Sequence, residues 1–532
     1  MKIIHRISLS ILTAILLWAA WPARGFAPLL FIALIPLLLV EEDTCRKKQN
    51  GIKAGFFLHG YLSMLLFNLF TTWWIYYASA GGMVMAVVFN ALIMAMVLQL
   101  FHLTKLKMGN TIGYLSLIAY WIAYEFLHYN WELSYPWLNF GNGFAAWTNM
   151  IQWYEYSGVL GGTLWVLVVN ITIVHFLKLY HIYRKSIYIK RLLIYASCMI
   201  FIPVIISLLI KHNYKETSNP VDVVIVQPNI DPYNEKFGGM SSQDQLKKIL
   251  NLATEKTDEK TDYVVCPETA LPDGIWENEL QDHRQIAAIR NFIKPFPELN
   301  FITGLSSNRL YITSTPPNKS ARKFPDSDNY YDSYNTGMQV ANDTLIQLHH
   351  KSKLVIGVEK IPFSGFFGFF EKFAIDLGGA SGSLGTQPRP SVFKSKKAKI
   401  APVICYESVY GEYVSEYVKQ GAQAIFIITN DGWWQDTPGY LQHCQYGRLR
   451  AIETRRAIAR SANTGTSCFI DQLGNISQAT KWWVAAVIRQ DIQLNDELTF
   501  YTKHGDYLGR FSVAGSVILL LLTVMRWRKK AG

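Results

Sequence analysis

Hydrophobic and polar residues follow two contrasting patterns along this chain. Long apolar runs fill the first 210 positions and recur near the end, whereas residues 211–508 alternate short apolar runs with amphipathic stretches. Apolar runs long enough to cross a bilayer occur at 7–22, 26–40, 55–77, 83–104, 112–128, 158–177, 192–210 and 509–525. The pattern predicts a membrane domain at 1–210 with about seven transmembrane helices, an extramembrane domain at 211–508, and a final transmembrane helix with a basic tail at 509–532.

The first apolar run also has the features of a secretory signal peptide. It follows the basic start MKIIHR and ends close to small residues near Ala23. Cleavage would remove this span, but the second span would still lead to the basic loop at 45–53. The predicted orientation is therefore the same whether or not the first span is retained.

Basic residues are distributed unevenly between the two sets of short connections. One set contains the Lys and Arg residues at 2–6, 46–53, 105–107, 178–191 and 526–530, and the other set contains only Arg24. Because cytoplasmic connections are enriched in Lys and Arg, both termini are predicted to be cytoplasmic and residues 211–508 to lie on the opposite side.

The net charge of +12 has the same origin, because basic and acidic residues balance between 211 and 510. The excess therefore flanks the apolar runs, and an extramembrane domain without a basic patch argues against a nucleic-acid partner. A chain that is 50% hydrophobic and 17% charged is also not intrinsically disordered. Within the spans, Glu125 is a possible functional carboxylate, but its place near a span end favours simple contact with interfacial water.

The segment from 221 onward predicts an α/β domain. Buried strands are expected at 221–227, 263–266, 300–305, 399–406 and 422–429, with helices at about 241–257, 281–294 and 408–419. Alternation of this kind places helices over the faces of a sheet. Chemistry in such folds collects where strands end.

Reactive residues follow three of the predicted strands. Glu268 follows YVVC, Lys351 and Lys353 lie in LHHKSKLVIG, and Cys405 ends KIAPVICY. Taken singly, Glu268 could be a cap or a solvated charge, the lysines could be a solvated strand face, and Cys405 could be a core residue. A helix beginning near Ser408 would lower the pKa of the Cys405 thiol and offer backbone N–H groups to an oxyanion.

Together these sites resemble the Glu-Lys-Cys triad of the nitrilase superfamily, in the order PET, Lys, CYE. The spacing, the apolar amino-terminal region, the closing span and the segments TNDGWW and ANTGTSCFIDQLGNI are similar to the apolipoprotein N-acyltransferases. The resemblance implies an αββα nitrilase-like sandwich at 211–508 behind a multi-span helical membrane domain.

The same resemblance implies roles for six residues. Cys405 would be the nucleophile, Glu268 the general base and Lys351 the cation that stabilises the oxyanion. Lys351 is preferred to Lys353 because Leu354, Val355 and Glu359 then follow at the family's spacing. Supporting roles are implied for Glu359, Tyr406 and Glu407.

The implied reaction transfers a fatty acyl chain from a phospholipid to the N-terminal amine of the diacylglyceryl-cysteine of an apolipoprotein through a Cys thioester. We expect no metal or organic cofactor, and a monomer in a bacterial inner membrane with its catalytic domain in the periplasm. The Phe-rich segment 361–373 is predicted to act as a lid that dips into lipid.

Three alternatives stay open. The first is a membrane-tethered amidase that uses the same triad with water as acceptor, and the second is a non-catalytic membrane scaffold. The third is a Cys–His dyad that uses His349 or His350 as the base, for which the sequence offers no orienting residue. Cys444, on a predicted helix at 441–460, is expected to face the sheet.

Overall fold

The structure is a computed structural model that describes residues 1–343, 345–360 and 383–528. The described residues form two compact units. The first comprises Met1–Trp73, Met83–Tyr214 and the chain from His504 onward, and the second comprises Trp74–Gly82 and Lys215–Lys503. The predicted domain boundaries at 210 and 508 stay predictions.

The first unit is helical. Its helices are α1 (Ile3–Ala20), α2 (Leu30–Ala33), α3 (Ile35–Gln49), α4 (Phe57–Thr72), α6 (Ala80–Met108, whose first residues belong to the second unit), α7 (Asn110–Leu127), α8 (Tyr154–Tyr183), α9 (Ile187–Asn213) and α15 (Tyr507–Arg528).

Among the described residues, five helices are long and apolar enough to cross a membrane, namely α1, α6, α8, α9 and α15. The other predicted spans are shorter or more polar in the structure. The run 26–40 divides between α2 and α3, and α4 has only 16 residues. The structure therefore supports a membrane-bound protein, and the count of eight spans stays a prediction.

Glu125 differs from its expected setting at a water interface. Its side chain is buried within the first unit and accepts hydrogen bonds from Trp121 Nε1 (3.0 Å), the Phe140 N–H (2.9 Å) and Thr163 Oγ1 (2.6 Å). A carboxylate with three internal donors ties α7 to its neighbours and has no need of interfacial water.

The second unit contains two sheets. The larger sheet has the strand order β14-β1-β2-β4-β6-β5, with β3 paired to β4 and β7 paired to β6, and the smaller sheet has the order β13-β12-β11-β10-β9-β8. The strands are β1 (Pro220–Gln227), β2 (Tyr263–Val265), β3 (Leu271–Trp276), β4 (Asn300–Tyr311), β5 (Arg322–Lys323), β6 (Tyr330–Val340), β7 (Ile346–His350), β8 (Phe393–Lys394), β9 (Lys399–Ile404), β10 (Ala424–Thr429), β11 (Ile458–Ala462), β12 (Cys468–Ile470), β13 (Ile476–Ser477) and β14 (Ala486–Gln493).

Helices cover the outer face of each sheet. They are α10 (Ser242–Thr254), α11 (Arg284–Ile293), α12 (Gly411–Lys419) and α13 (Pro438–Thr454), and the same unit has two shorter helices, α5 (Ile75–Ala78) and α14 (Phe500–His504). One apolar core joins the inner faces of the sheets, a second lies under α10 and α11, and a third lies under α12 and α13. The unit is thus the predicted αββα sandwich.

A short stretch from between the apolar helices belongs to this sandwich. The Trp74 ring lies edge-on to Trp434 with centroids 4.9 Å apart, and the Tyr233 hydroxyl lies 3.1 Å from Tyr77 O. Hydropathy alone could not indicate this, because 55–77 is one continuous apolar run in the sequence.

Candidate active site

Glu268 lies in the turn that leaves β2, where its side chain is buried. Its carboxylate accepts three hydrogen bonds. Lys351 Nζ (2.9 Å) and Asn335 Nδ2 (2.7 Å) donate to Oε1, and the Asn430 backbone N–H donates to Oε2 at 3.0 Å. Since these donors come from β6 and from the ends of β7 and β10, the tertiary fold fixes the position of this carboxylate.

The turn that carries Glu268 packs directly on a glycine of β4. The Gly304 N–H donates to Pro267 O at 3.0 Å. A Cβ at Gly304 would lie 2.7 Å from Glu268 Cα and 2.5 Å from Thr269 N. Only a residue without a side chain lets the turn come this close.

Lys351 directly follows β7 and is buried between two carboxylates. Its Nζ lies 2.9 Å from Glu268 Oε1 and 2.8 Å from Glu359 Oε1. Lys353 instead lies over the Tyr410 ring, 4.9 Å from its centroid. The structure therefore brings Lys351, and not Lys353, against Glu268.

Glu359 is held by the same group of side chains. Its Oε1 accepts a second hydrogen bond from Asn335 Nδ2 at 2.9 Å, and its Oε2 accepts from the Val355 N–H at 2.9 Å. Asn335 thus bridges Glu268 and Glu359. The arrangement keeps two carboxylates and one ammonium group in a fixed geometry.

Cys405 directly follows β9 and begins a short 3₁₀ helix, Cys405–Val409. Its φ of +47° places it in the left-handed region. The expected α-helix begins later than predicted, at Gly411. Any helix-end field on the thiol therefore comes from a five-residue 3₁₀ turn.

The pKa values of the Cys405 thiol and the Glu268 carboxyl are shifted in opposite directions. Burial raises the pKa of the Cys405 thiol, the charge of Glu268 raises it further, and Lys351 only partly opposes both. For Glu268, burial alone would raise the pKa, but the charge and hydrogen bond of Lys351 outweigh it and leave the pKa below its ordinary value. The resting site therefore holds a neutral thiol beside an ionised carboxylate that can accept its proton.

Glu407 supports the backbone around Cys405. It is fully buried, and its carboxylate accepts from the Ile404 N–H at 2.9 Å and the Ser352 N–H at 2.7 Å. Its side-chain partners are Tyr413 (3.0 Å), Tyr417 (3.2 Å) and His349 (3.1 Å). These contacts join the segment after β7 to the segment after β9, next to Lys351 and Cys405.

Tyr406, His349 and His350 contact residues outside the predicted triad. The Tyr406 ring meets Tyr410 edge-on at 5.3 Å. His349 bonds to Glu407, and His350 Nε2 lies 2.6 Å from Glu277 Oε1. Both imidazoles are thus engaged with carboxylates other than those of the predicted triad, which disfavours the Cys–His dyad.

Glu268, Lys351, Glu359 and Cys405 line one cavity of about 330 Å³ in the second unit. Part of its wall is polar, and its apolar lining includes Ala78, Phe237, Pro272, Val355, Val358, Leu384, Trp433 and Trp434. The predicted lid at 361–373 lies outside the described residues.

Three site residues were missed in the sequence. Asn335 and Asn430 bind the Glu268 carboxylate, and the buried Lys236 donates to the Glu268 carbonyl at 2.9 Å. Asn335 lies in a polar strand with no local motif, and Lys236 lies far upstream in the sequence. Only Asn430 carried a signal, because it belongs to the TNDGWW segment.

Comparison with known proteins places the chain in a family. The model of the apolipoprotein N-acyltransferase N-terminal domain matches residues 13–172, and the carbon–nitrogen hydrolase model matches residues 223–498. An apolipoprotein N-acyltransferase of Chlorobaculum tepidum is 30% identical over 96% of this chain and 94% of that protein. The chain belongs to the apolipoprotein N-acyltransferase family.

Other members of the apolipoprotein N-acyltransferase family are similar over the same length. One from Geobacter metallireducens is 24% identical over 97% of this chain and 95% of its own. Among solved structures, Nit3 of Saccharomyces cerevisiae, a member of branch 10 of the nitrilase superfamily, is 14% identical, with a TM-score of 0.38 over 53% of this chain and 92% of that chain. The carbon–nitrogen hydrolase match spans all six predicted site residues of this apolipoprotein N-acyltransferase family member.

Proposed function

We propose that this protein transfers a fatty acyl chain from a phospholipid to the N-terminal amine of the diacylglyceryl-cysteine of apolipoproteins, through a thioester on Cys405. The proposed nucleophile is Cys405, the general base is Glu268 and the oxyanion-stabilising cation is Lys351. Glu359, Tyr406 and Glu407 have supporting roles.

The first half-reaction forms the thioester. Glu268 takes the Cys405 proton as the sulfur attacks the ester carbonyl of the phospholipid, because the buried thiol is neutral at rest. Lys351 balances the negative charge on the carbonyl oxygen in the tetrahedral intermediate. The C–O bond then breaks, and the leaving alkoxide takes the proton from Glu268 and departs as a lysophospholipid.

The second half-reaction uses the same groups in the reverse order. The α-amine of the apolipoprotein attacks the thioester carbonyl while Glu268 takes the amine proton. The C–S bond breaks, the amide is released, and the thiolate recovers its proton from Glu268. No external energy source is needed, since conversion of a thioester to an amide is downhill.

The observation that carries the proposal is the buried Lys351–Glu268 pair on the wall of the cavity that also contains Cys405. The aromatic and aliphatic part of that wall supports an acyl chain as the transferred group. An amidase acting on small polar amides would gain little from such a wall.

Placement in the cell is part of the proposal. We place the protein as a monomer in a bacterial inner membrane, with 1–210 and 509–532 as the membrane-spanning parts and the catalytic domain at 211–508 on the periplasmic side. Phospholipid and apolipoprotein are then the partners.

Intact-protein mass spectrometry after incubation with phospholipid tests the function. We expect a gain of one fatty acyl mass that hydroxylamine removes and that is absent in Cys405→Ala. Cys198→Ala is the matched control, since Cys198 is the exposed thiol among the described residues and the one most open to unspecific acylation.

Two results would overturn the proposal. One is a folded wild-type protein that gains no acyl mass from phospholipid while it hydrolyses small amides, which is the behaviour of the amidase alternative. The other is an adduct that persists in Cys405→Ala. If the adduct forms as expected, addition of a synthetic diacylglyceryl-cysteine peptide should discharge it and yield the N-acylated peptide.

A further inference from the structure

A second buried cluster lies next to Cys405, and the proposed mechanism does not use it. It consists of Asp431, His443 and Arg460, and we call it the Asp431 cluster. All three side chains are buried within the second unit. Arg460 Nη2 lies 2.7 Å from Asp431 Oδ2, and His443 Nδ1 lies 3.0 Å from both Asp431 Oδ1 and Arg460 Nη2.

The cluster contacts the backbone of the nucleophile through His443. The His443 Nε2 lies 3.1 Å from Cys405 O, and the Ser408 hydroxyl donates to the same oxygen at 2.7 Å. A carbonyl oxygen can only accept, so this contact requires a proton on Nε2 of His443. Nε2 also lies 3.0 Å from Ser408 Oγ, so its proton is shared between the Ser408 oxygen and the carbonyl, and both side chains hold the Cys405 carbonyl.

The cluster also approaches the thiol from the other side. Thr429 Oγ1 donates to Asp431 Oδ1 at 2.9 Å, and a hydrogen bond between Thr429 and the Cys405 side chain acts to lower the pKa of the thiol. The chain of contacts that begins at the Cys405 thiol thus runs through Thr429, Asp431 and His443 and returns to the Cys405 carbonyl.

These contacts hold Cys405 in an unfavourable backbone conformation. Cys405 has a Cβ and yet adopts φ of +47°, which is unfavourable for any residue but glycine and persists only where neighbours enforce it. Rotation out of this conformation would move the thiol and the carbonyl together, so a donor on the carbonyl also fixes the thiol.

The positive and negative charges within the cluster partly cancel at the Cys405 thiol. A lone Asp431 carboxylate would oppose thiolate formation, and its charge does raise the pKa of Cys405. Arg460 offsets that charge at 2.7 Å. With its proton on Nε2, a neutral His443 accepts at Nδ1 from Arg460 Nη2, which lies 3.0 Å away, so Asp431 holds His443 through Arg460.

We propose that His443, held by the Arg460–Asp431 pair, is a positioning residue that keeps Cys405 in its left-handed conformation so that the thiol faces Glu268 and Lys351. The inference rests on the proposed function for the identity of the nucleophile. It adds a residue that acts through Cys405 and touches no substrate.

The test compares His443→Leu with His443→Gln in the full-length protein. The Gln amide can still donate to Cys405 O, whereas Leu cannot. Each variant is assayed for the rate of thioester formation from phospholipid vesicles, for the dependence of that rate on phospholipid concentration, and for alkylation of Cys405 by iodoacetamide. The control is Leu449→Ala, which removes buried volume from the same helix α13 and does not contact the cluster residues in any hydrogen bond.

We expect His443→Leu to lower the maximal acylation rate roughly 100-fold with unchanged half-saturation by phospholipid, because a misplaced reactive group loses about that factor. His443→Gln should recover most of the rate. Leu449→Ala should acylate at the wild-type rate even if its thermal unfolding midpoint falls as far as that of His443→Leu. Ser408→Ala, which removes the other donor to the carbonyl with little change in volume, should lower the rate by a smaller factor and serves if His443→Leu does not fold.

The inference is overturned if His443→Leu acylates at the wild-type rate, if Gln and Leu are equally impaired, or if Leu449→Ala loses activity in proportion to its stability. Failure of the proposed function gives a different result, since the wild-type protein would then form no thioester. The alkylation rates of Cys405 would still separate wild type from His443→Leu in that case.

Discussion

At the scale of single residues, the site depends on a close approach that only glycine permits. Gly304 on β4 faces Gly337 on β6 in the antiparallel register, yet the two positions differ in what a side chain would meet. A Cβ at Gly304 would lie 2.7 Å from Glu268 Cα, whereas one at Gly337 would make ordinary contacts of 3.6 Å or more with Ile404 and Ile428.

We therefore expect Gly304→Ala to displace the Glu268 turn and to lower thioester formation roughly tenfold or more, because small shifts of a reacting group are costly. Gly337→Ala is the matched control and should keep the activity within about twofold of wild type. Thioester formation by intact mass measures both variants, and equal activity of the two would contradict this account.

Glu268, Lys351 and Cys405, with Glu359 and Glu407 beside them, could be located from sequence, whereas Asn335 and Lys236 could not. Each of the three lies within three residues of the end of a strand and in a short motif. Asn335 bridges Glu268 and Glu359, but it is a polar residue within a strand, and its role exists only once β6 lies beside β4. The family's spacing already favoured Lys351 over Lys353, and the structure adds the reason, since Lys351 is buried between two carboxylates.

At the scale of elements, Glu407 joins the end of β9 to the segment that follows β7. Burial would raise the pKa of this carboxyl, but the charge of His349 and the hydrogen bonds from His349, Ile404 and Ser352 bring it below its ordinary value of 4.5. The folded state therefore takes up this proton less readily than the unfolded chain, so the stabilisation is complete above about pH 4.5 and is lost as the pH falls through the lowered pKa.

Glu407→Gln should lower the free energy of unfolding at pH 7 by about 3 kcal/mol, the usual effect of removing one partner of a buried pair. It should also reduce the loss of stability between pH 6 and the acid limit. Thermal unfolding as a function of pH measures both effects. Glu416→Gln, at an exposed position of α12, is the control and should follow the wild-type pH profile.

Elements with strong apolar patterns were predicted closely, and those with mixed patterns were not. The strands at 221–227 and 422–429 correspond to Pro220–Gln227 and Ala424–Thr429. The strand predicted at 399–406 ends at Ile404, because Cys405 turns into the left-handed region. β6 was not predicted, since its sequence YYDSYNTGMQV has no clean alternation of polar and apolar residues.

At the scale of the whole molecule, the distribution of Lys and Arg predicts which side of the membrane each part faces. Alkaline phosphatase, which is active only outside the cytoplasm, should be active when joined after Asn219 and inactive when joined after the last residue. A fusion after Lys503, which lacks α15, should be active again. Activity of the full-length fusion together with inactivity after Asn219 would reverse the predicted orientation.

The placement of Trp74–Gly82 within the sandwich has a consequence for how the enzyme is assembled and divided. This stretch supplies Ala78 to the cavity wall, and the Trp74 ring occupies the space that a side chain at position 439 would need. The ribosome synthesises this stretch more than a hundred residues before β1. One part of the catalytic unit is therefore made well before the strands against which it packs. A fragment of residues 215–503 would contain every residue of the proposed triad and would still lack part of the cavity wall.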